Sequence, residues 1–118
     1  MLIYALFYLD YCVNKLFRPE CDSGKLILMQ SALYGRMSLG KCVLTDLGYL
    51  GCKANVLATL DGLCTGQPSC NVIVNDEVIK PKGGCIVGLQ SYLEVEYSCV
   101  EGLLYFIIIL LVFKLYLE

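Results

Sequence analysis

The cysteines are the residues of this sequence with the most evident chemistry. Their even number in a chain of 118 residues predicts disulfide bonds and an oxidising compartment. A zinc site is disfavoured, because the chain has no histidine and no cysteine pair shows the two-residue gap of a zinc knuckle. We therefore expect no metal and no cofactor. The eight positions are Cys12, Cys21, Cys42, Cys52, Cys64, Cys70, Cys85 and Cys99.

The remaining side chains offer little catalytic chemistry. Because histidine is absent, Ser-His-Asp and Cys-His catalytic sets are excluded. Glu94 and Glu96 share a strand face, as a glycosidase pair would, but neighbouring carboxylates on an exposed face are usually only solvated. The formal charge of −2 provides no basic stripe that would neutralise phosphates. We predict no enzyme activity, no catalytic residues and no nucleic-acid partner.

The best-defined strand is Ser91–Cys99, which reads SYLEVEYSC. Its alternation indicates a half-buried strand whose inward face ends on a cysteine, a position from which a disulfide can reach an earlier segment. The predicted inward set is Leu93, Val95, Tyr97 and Cys99, and the predicted outward set is Tyr92, Glu94, Glu96 and Ser98.

Further strands are predicted at 1–11, 25–30 and 71–74. The first segment favours a strand over a signal peptide, because it has no basic leader and no small-residue cleavage site before Cys12. After the second, Gly35 predicts a sharp turn.

One helix is predicted between Cys52 and Cys64, with Asn55 as its cap and Gly62 near its end. Its apolar residues at helical spacing are Val56, Leu57, Leu60 and Leu63. The turn-forming stretch TGQPS then brings Cys64 close to Cys70, so we expect these two to pair.

Two segments near the end of the chain differ from this pattern. Asn75–Gly84 is predicted as a polar loop of the kind that carries binding sites, with Asp76 and Glu77 at a solvated tip. Segment 102–117 is apolar, and a helix of its residues 103–117 would measure roughly 22 Å against a hydrocarbon core of about 30 Å. A membrane anchor is the leading interpretation, with a processed hydrophobic tail or a mispredicted exon as alternatives.

Three features combine into a specific resemblance. They are the cysteine order, Tyr34-Gly35-Arg36 after an apolar strand, and YLEVEY before the last cysteine. With them, residues 4–100 resemble the rhamnose- or galactose-binding lectin domain, also called the SUEL-type lectin domain and present in latrophilins. The resemblance implies an α+β fold, a compact antiparallel β-sandwich of about five strands with one longer helix. It also implies the pairs Cys12 with Cys42, Cys21 with Cys99, Cys52 with Cys85, and Cys64 with Cys70.

The resemblance further implies a sugar site from which the charges are missing. Family members hold a galactose-like ring with a carboxylate after the first cysteine, an aspartate in an Asp-Pro-Cys loop and a lysine beside the YLE strand. The corresponding residues here are Val13, Gly83 and Ser91. Because a hydrogen bond to a charged group contributes about 1.5 to 3 kcal/mol, we expect weak or absent binding of free rhamnose or galactose.

Tyr34, Asn75 and Gly88 are the carbohydrate-contacting positions that survive. Tyr34 and Gly88 also have a plain structural interpretation: a tyrosine beside a turn often packs with its hydroxyl bonded to the backbone, and the glycine serves the turn before the last strand. Arg36 is expected to hold a loop through carbonyls or a carboxylate.

Two functions follow for an extracellular or cell-surface domain, with or without a membrane anchor. The first is a lectin that binds galactose- or rhamnose-containing glycans. The second is an adhesion or receptor module that keeps the scaffold and binds an extracellular protein. The family resemblance favours the first, whereas the chemistry of the replaced positions favours the second.

Overall fold

A computed structural model of the chain describes residues 6–86 and 88–118. Within them, one antiparallel sheet has the strand order β1-β6-β3-β4, and a small antiparallel sheet pairs β2 with β5. The fold is therefore α+β, as expected. In chain order the elements are β1 (Leu6–Cys12), β2 (Leu16–Phe17), β3 (Lys25–Gly35), β4 (Lys53–Asn55), α1 (Leu57–Cys64), β5 (Val72–Ile73), α2 (Asp76–Ile79), β6 (Tyr92–Glu101) and α3 (Gly102–Leu117).

The strand predicted from SYLEVEYSC is β6, which lies between β1 and β3 in the sheet. Leu93, Val95 and Tyr97 are buried on its inward face, as predicted. The expectation that the opposite face is exposed is wrong for Tyr92 and Ser98, which are also buried. A cluster containing Cys42 and Val43 covers Tyr92, and the Gln30 side-chain amide donates to the Ser98 hydroxyl.

The core lies between the two sheets and is aromatic at its centre. Phe17 of β2 is fully buried, and its ring centroid is 5.0 Å from that of Tyr11 and 5.8 Å from that of Tyr97. These three rings come from different strands, so aromatic contact joins the small sheet to the large one.

Strand β3 is longer than predicted because a bulge changes its alternation. Its register against β6 shifts between Met29 and Ser31, so that inward positions are odd before the shift and even after it. The inward residues are Ile27, Met29, Ala32 and Tyr34, all buried. No single period-two pattern could have described this strand.

Gly35 does not form the predicted turn. It is the last residue of β3 and pairs with Lys53 of β4. A Cβ at this position would collide with the Cys52 carbonyl oxygen and lie 2.7 Å from the Lys53 Cα. The close approach of β4 therefore requires glycine here.

Helix α1 lies where it was predicted, but its N-cap is Val56, which makes no side-chain cap hydrogen bond, and not Asn55. Asn55, one residue earlier, accepts from the Leu57 amide at 3.0 Å. Leu60 is fully buried, but Leu63, predicted in the apolar stripe, is exposed. The helix also continues past Gly62 to Cys64. Leu57, in the first turn, also packs against the core but is only partly buried.

Four disulfides join the described segments, and they have the pairing that the resemblance implies. They are Cys12–Cys42, Cys21–Cys99, Cys52–Cys85 and Cys64–Cys70. The strand predicted for 1–11 is confirmed over Leu6–Cys12, and the rest of that prediction lies outside the described residues. The strand predicted at 71–74 is shorter, since β5 comprises Val72–Ile73.

Helix α3 follows β6 without a linker. The Gly102 amide donates to the Gly24 carbonyl at 2.9 Å, which fixes the first turn beside the 22–24 loop. Beyond that turn, every side chain from Phe106 to Phe113 is exposed. Among the described helices, none combines the length and the apolar character needed to cross a membrane.

Candidate functional site

Tyr34 stands at the end of β3 with its ring buried and its hydroxyl bonded to a carboxylate. The hydroxyl donates to Asp76 Oδ1 at 2.7 Å. The prediction that this hydroxyl bonds to the backbone is therefore wrong, because its partner is an acid on α2. Burial, together with the neighbouring Asp76 carboxylate, raises the pKa of Tyr34 above its usual value. The phenol therefore stays protonated and keeps the carboxylate in a fixed orientation.

The segment after β5 is partly helical and does not form the polar loop that was predicted. Asn75 Oδ1 accepts from the Val78 amide at 2.8 Å and so caps α2, which places Asp76 and Glu77 in the first turn. The sequence signal was present, because Asn followed by two acids is typical of a helix start. It was missed because α2 has only four residues.

These elements enclose a cavity of about 510 Å³, which we call the groove. All three surviving candidates, Tyr34, Asn75 and Gly88, line it together. Asp76 and Glu77, predicted only as a solvated tip, line it as well. The full lining is Val13, Asn14, Tyr34, Asn75, Asp76, Glu77, Gly88, Leu89 and Gln90.

A second cavity of about 290 Å³, the side pocket, adjoins the groove and shares Tyr34, Asp76 and Leu89 with it. Gly83 and Ser91 line the side pocket, whereas Val13 lines the groove. The three positions at which the resemblance implies a lost charge therefore surround the Tyr34–Asp76 pair.

The chemistry of the groove is that of an acceptor surface. Asp76 and Glu77 supply carboxylate oxygens, Asn14 and Gln90 supply amides, and no lysine or arginine belongs to the described lining. Carboxylates accept strong hydrogen bonds from hydroxyl groups. A neutral ligand rich in hydroxyls is therefore a better match than an anion.

Glu94 and Glu96 lie outside both cavities. Glu94 pairs in register with Asp10 of β1, and its carboxylate raises the pKa of the nearby Tyr8 hydroxyl to about 12. Within residues 6–86 and 88–118, no group of three or more cysteine, aspartate or glutamate side chains is arranged to hold a metal ion.

Arg36 directly follows β3 and holds two loops through carbonyls, as expected. Its Nη1 donates to the Gln90 carbonyl at 2.7 Å and its Nη2 to the Thr45 carbonyl at 2.8 Å. Gly88 has φ of +95°, a conformation that side-chain-bearing residues rarely adopt, so it serves the turn before β6.

Comparison with known proteins gives consistent results. Residues 19–99 match the model of the D-galactoside/L-rhamnose binding SUEL lectin domain. Latrophilin Cirl of Drosophila persimilis is 32% identical over 96 residues, which are 77% of this chain and 5% of that protein. L-rhamnose-binding lectin SML of Scomberomorus niphonius is 29% identical over 96 residues, 78% of this chain and 46% of the lectin. Human protein eva-1 homolog C is 28% identical over 94 residues, 75% of this chain and 21% of that protein.

Proposed function

Because the chain belongs to the SUEL lectin domain family, we propose that it is a carbohydrate-binding module and that its groove receives a sugar. The observation that carries the proposal is the meeting of Tyr34, Asn75 and Gly88 in one cavity with two carboxylates. The chain spans about 5% of the length of the latrophilins it matches, so the proposal concerns this domain alone.

The affinity for a single sugar is low in this proposal. Val13, Gly83 and Ser91 offer no charged hydrogen bond, and each such bond contributes about 1.5 to 3 kcal/mol. Asp76 is already engaged by Tyr34, which leaves Glu77 as the freer acceptor in the groove. We expect galactose and rhamnose to bind in the millimolar range, consistent with about 4 kcal/mol of binding free energy.

The test is a titration of the full chain, held in phosphocholine micelles because sugar-based detergents would compete. Val13→Glu restores one carboxylate to the groove and should tighten galactose or rhamnose binding by at least about tenfold. Restoring Gly83→Asp is less informative, since Gly83 has φ of +76° and a side chain there adds strain. Leu63→Glu adds the same charge on exposed α1, outside the groove, and should change nothing.

Saturation of the natural chain at micromolar sugar would contradict the low affinity. Failure of both the natural chain and Val13→Glu to bind any monosaccharide or arrayed glycan would contradict the carbohydrate function. Retained folding of both proteins, checked by circular dichroism, makes either result decisive.

A protein-binding adhesion module is the second candidate, and one observation favours it. The loop between β3 and β4 exposes a run of large apolar side chains: Leu39, Leu44, Leu47, Tyr49 and Leu50. Apolar patches of this kind mark protein-interaction surfaces. Retention of a protein partner that Leu44→Glu abolishes and that added glycan does not displace would favour this candidate.

We also propose that α3 anchors the domain at the outer face of a cell membrane by burying itself in the apolar layer. Its side chains are apolar on every face, and a lipid environment, unlike a single protein partner, covers all faces at once. Flotation with phosphatidylcholine liposomes should recover the full chain, and Ile108→Lys with Leu111→Lys should abolish recovery. Leu16→Lys with Ile73→Lys is the matched control; equal recovery of all three proteins would overturn the anchor.

A further inference from the structure

Arg36 is buried without a countercharge. Only 4% of the residue is exposed, and the two partners of its guanidinium are the neutral carbonyls of Gln90 and Thr45. Its Nε is buried and has no hydrogen-bond partner. Within the described residues, the ion pair that forms is Arg18 with Glu20, elsewhere on the surface. A desolvated cation in this condition gains much from a nearby anion.

A cavity of about 400 Å³ has Arg36 in its lining, and we call it the Arg36 cavity. Its lining combines one cation with an apolar rim, because Leu44 and Leu47 are 83% and 57% exposed at its edge. The full lining is Arg36, Val43, Leu44, Thr45, Leu47, Gly88, Leu89 and Gln90. It contrasts with the groove, whose ionisable groups are acids.

The two cavities share a border formed by one short loop. Gly88, Leu89 and Gln90 line both of them. The Gln90 carbonyl is also an acceptor of Arg36, so the cation itself holds this shared loop. A ligand longer than one sugar can therefore occupy the groove and reach across the loop.

We propose that the Arg36 cavity receives the carboxylate of an acidic sugar whose neighbouring sugar occupies the groove. The planar guanidinium matches a carboxylate in shape and charge, and the leucine rim can cover the C–H face of the ring. A single cation suits a singly charged carboxylate better than a doubly charged phosphate. This inference rests on the proposed function, for which it names the ligand class: an oligosaccharide that contains a uronic acid or a similar acid.

The test compares glucuronosyl-galactose, which carries one carboxylate and leaves a neutral galactose for the groove, with the neutral disaccharide galactobiose, using ¹⁵N NMR of the full chain in phosphocholine micelles. The acidic disaccharide should bind at least tenfold more tightly at low salt, and 0.5 M NaCl should remove most of that advantage. It should shift the Arg36 Nε–H signal and the amides of Thr45 and Leu47. Galactobiose should shift only the groove amides of Asn14, Asn75 and Glu77.

Variants at exposed positions avoid the risk of unfolding. Leu47→Glu places a negative charge at the rim and should weaken binding of the acidic disaccharide about tenfold without affecting galactobiose. Leu39→Glu adds the same charge outside the cavity and should leave both affinities unchanged. Arg36→Lys retains the charge but loses the planar fork, so it should reduce the preference for the acid if the domain folds.

The outcomes separate this inference from the function on which it rests. Equal affinities for the two disaccharides, or an unmoved Arg36 signal, would overturn the acidic ligand while groove shifts still supported the lectin function. Shifts confined to the Arg36 cavity would overturn the sugar-binding role of the groove. If neither disaccharide shifts the groove amides or the signals of the Arg36 cavity, both proposals are overturned together.

Discussion

The two ends of β6 differ in shape and in chemistry. Just before Tyr92, the chain lines recessed cavities that contain carboxylates, amides and a buried guanidinium. Just after Glu101, α3 projects with apolar side chains exposed on all sides. Ten residues of strand, about 33 Å, separate them. One strand thus separates the polar cavities from a helix whose exposed side chains are apolar.

Different disulfides hold the two ends, and removing them should have the largest effect. Cys21–Cys99, with a sequence separation of 78, lies near the helix end, and its loss through Cys21→Ala with Cys99→Ala should cost about 4 kcal/mol of unfolding free energy. Cys52–Cys85, with a separation of 33, borders the side pocket, and its loss should cost roughly 3.5 kcal/mol.

Urea unfolding followed by circular dichroism measures the loss of unfolding free energy in each double variant. Sugar titration of the folded variants then shows which of the two disulfides supports the groove. Only the Cys52–Cys85 variant should lose sugar binding. If the Cys21–Cys99 variant folds and also loses it, the two ends are not independent.

Gly35→Ala should be the next most damaging change, and it acts at the groove end. The added Cβ collides with the Cys52 carbonyl, so we expect a loss of about 2 to 3 kcal/mol and a displaced Tyr34. Gly62→Ala is the control, because its Cβ would meet nothing within 4 Å and it lies inside α1. The free energy of unfolding of that control variant should rise by about 0.5 to 1 kcal/mol in the same urea measurement. Equal effects of the two substitutions would contradict the prediction, because they would mean that β4 shifts to accommodate the added Cβ at little cost.

Tyr34→Phe should cost about 1 to 2 kcal/mol, because the Asp76 carboxylate loses its phenolic donor. The loss should depend on pH. Since the pKa of Tyr34 is raised in the folded state, its contribution is complete below pH 10 and declines as the pH rises above that value. The difference in melting temperature between the natural chain and Tyr34→Phe should therefore be smaller at pH 11 than at pH 7. Tyr49→Phe, on an exposed loop, should have the melting temperature of the natural chain at both pH values.

The smallest predicted effect concerns Asp10, whose Oδ1 is buried without a partner among the described residues. Burial and the neighbouring Glu94 raise the pKa of Asp10, while Lys41 opposes them. Asp10→Asn should therefore stabilise the domain at pH 7, by less than about 1 kcal/mol. The gain should vanish as the pH falls towards 3.8 and Asp10 becomes protonated. Asp22→Asn, at an exposed position, should give no gain.

Much of the fold could be predicted because its signals are local. The alternation in β6, the position of α1 and the short Cys64–Cys70 loop each depend on a few adjacent residues. Strand β3 could not be predicted in full, because its bulge depends on pairing with β6. The burial of Tyr92 could not be predicted either, since the residues that cover it, Cys42 and Val43, lie far from it in the sequence.

The candidate site was predictable in part. Tyr34, Asn75 and Gly88 were found through the family resemblance, and the structure places them in one cavity. Asp76 and Glu77 are exposed, as predicted, but their place in the groove lining was missed, because exposed acids look the same in sequence whether or not they border a cavity. The missing countercharge of Arg36 is a property of the folded chain only.

The direct continuation of β6 into α3 has a mechanical consequence. A pull between a ligand held in the groove and a surface that holds α3 would act along the axis of β6. Because β1 and β3 flank this strand, such tension would shear both hydrogen-bond ladders at once instead of unzipping them one bond at a time. The Cys21–Cys99 bond would then stop the strand from sliding out. The geometry is that of a tether which resists force along its length.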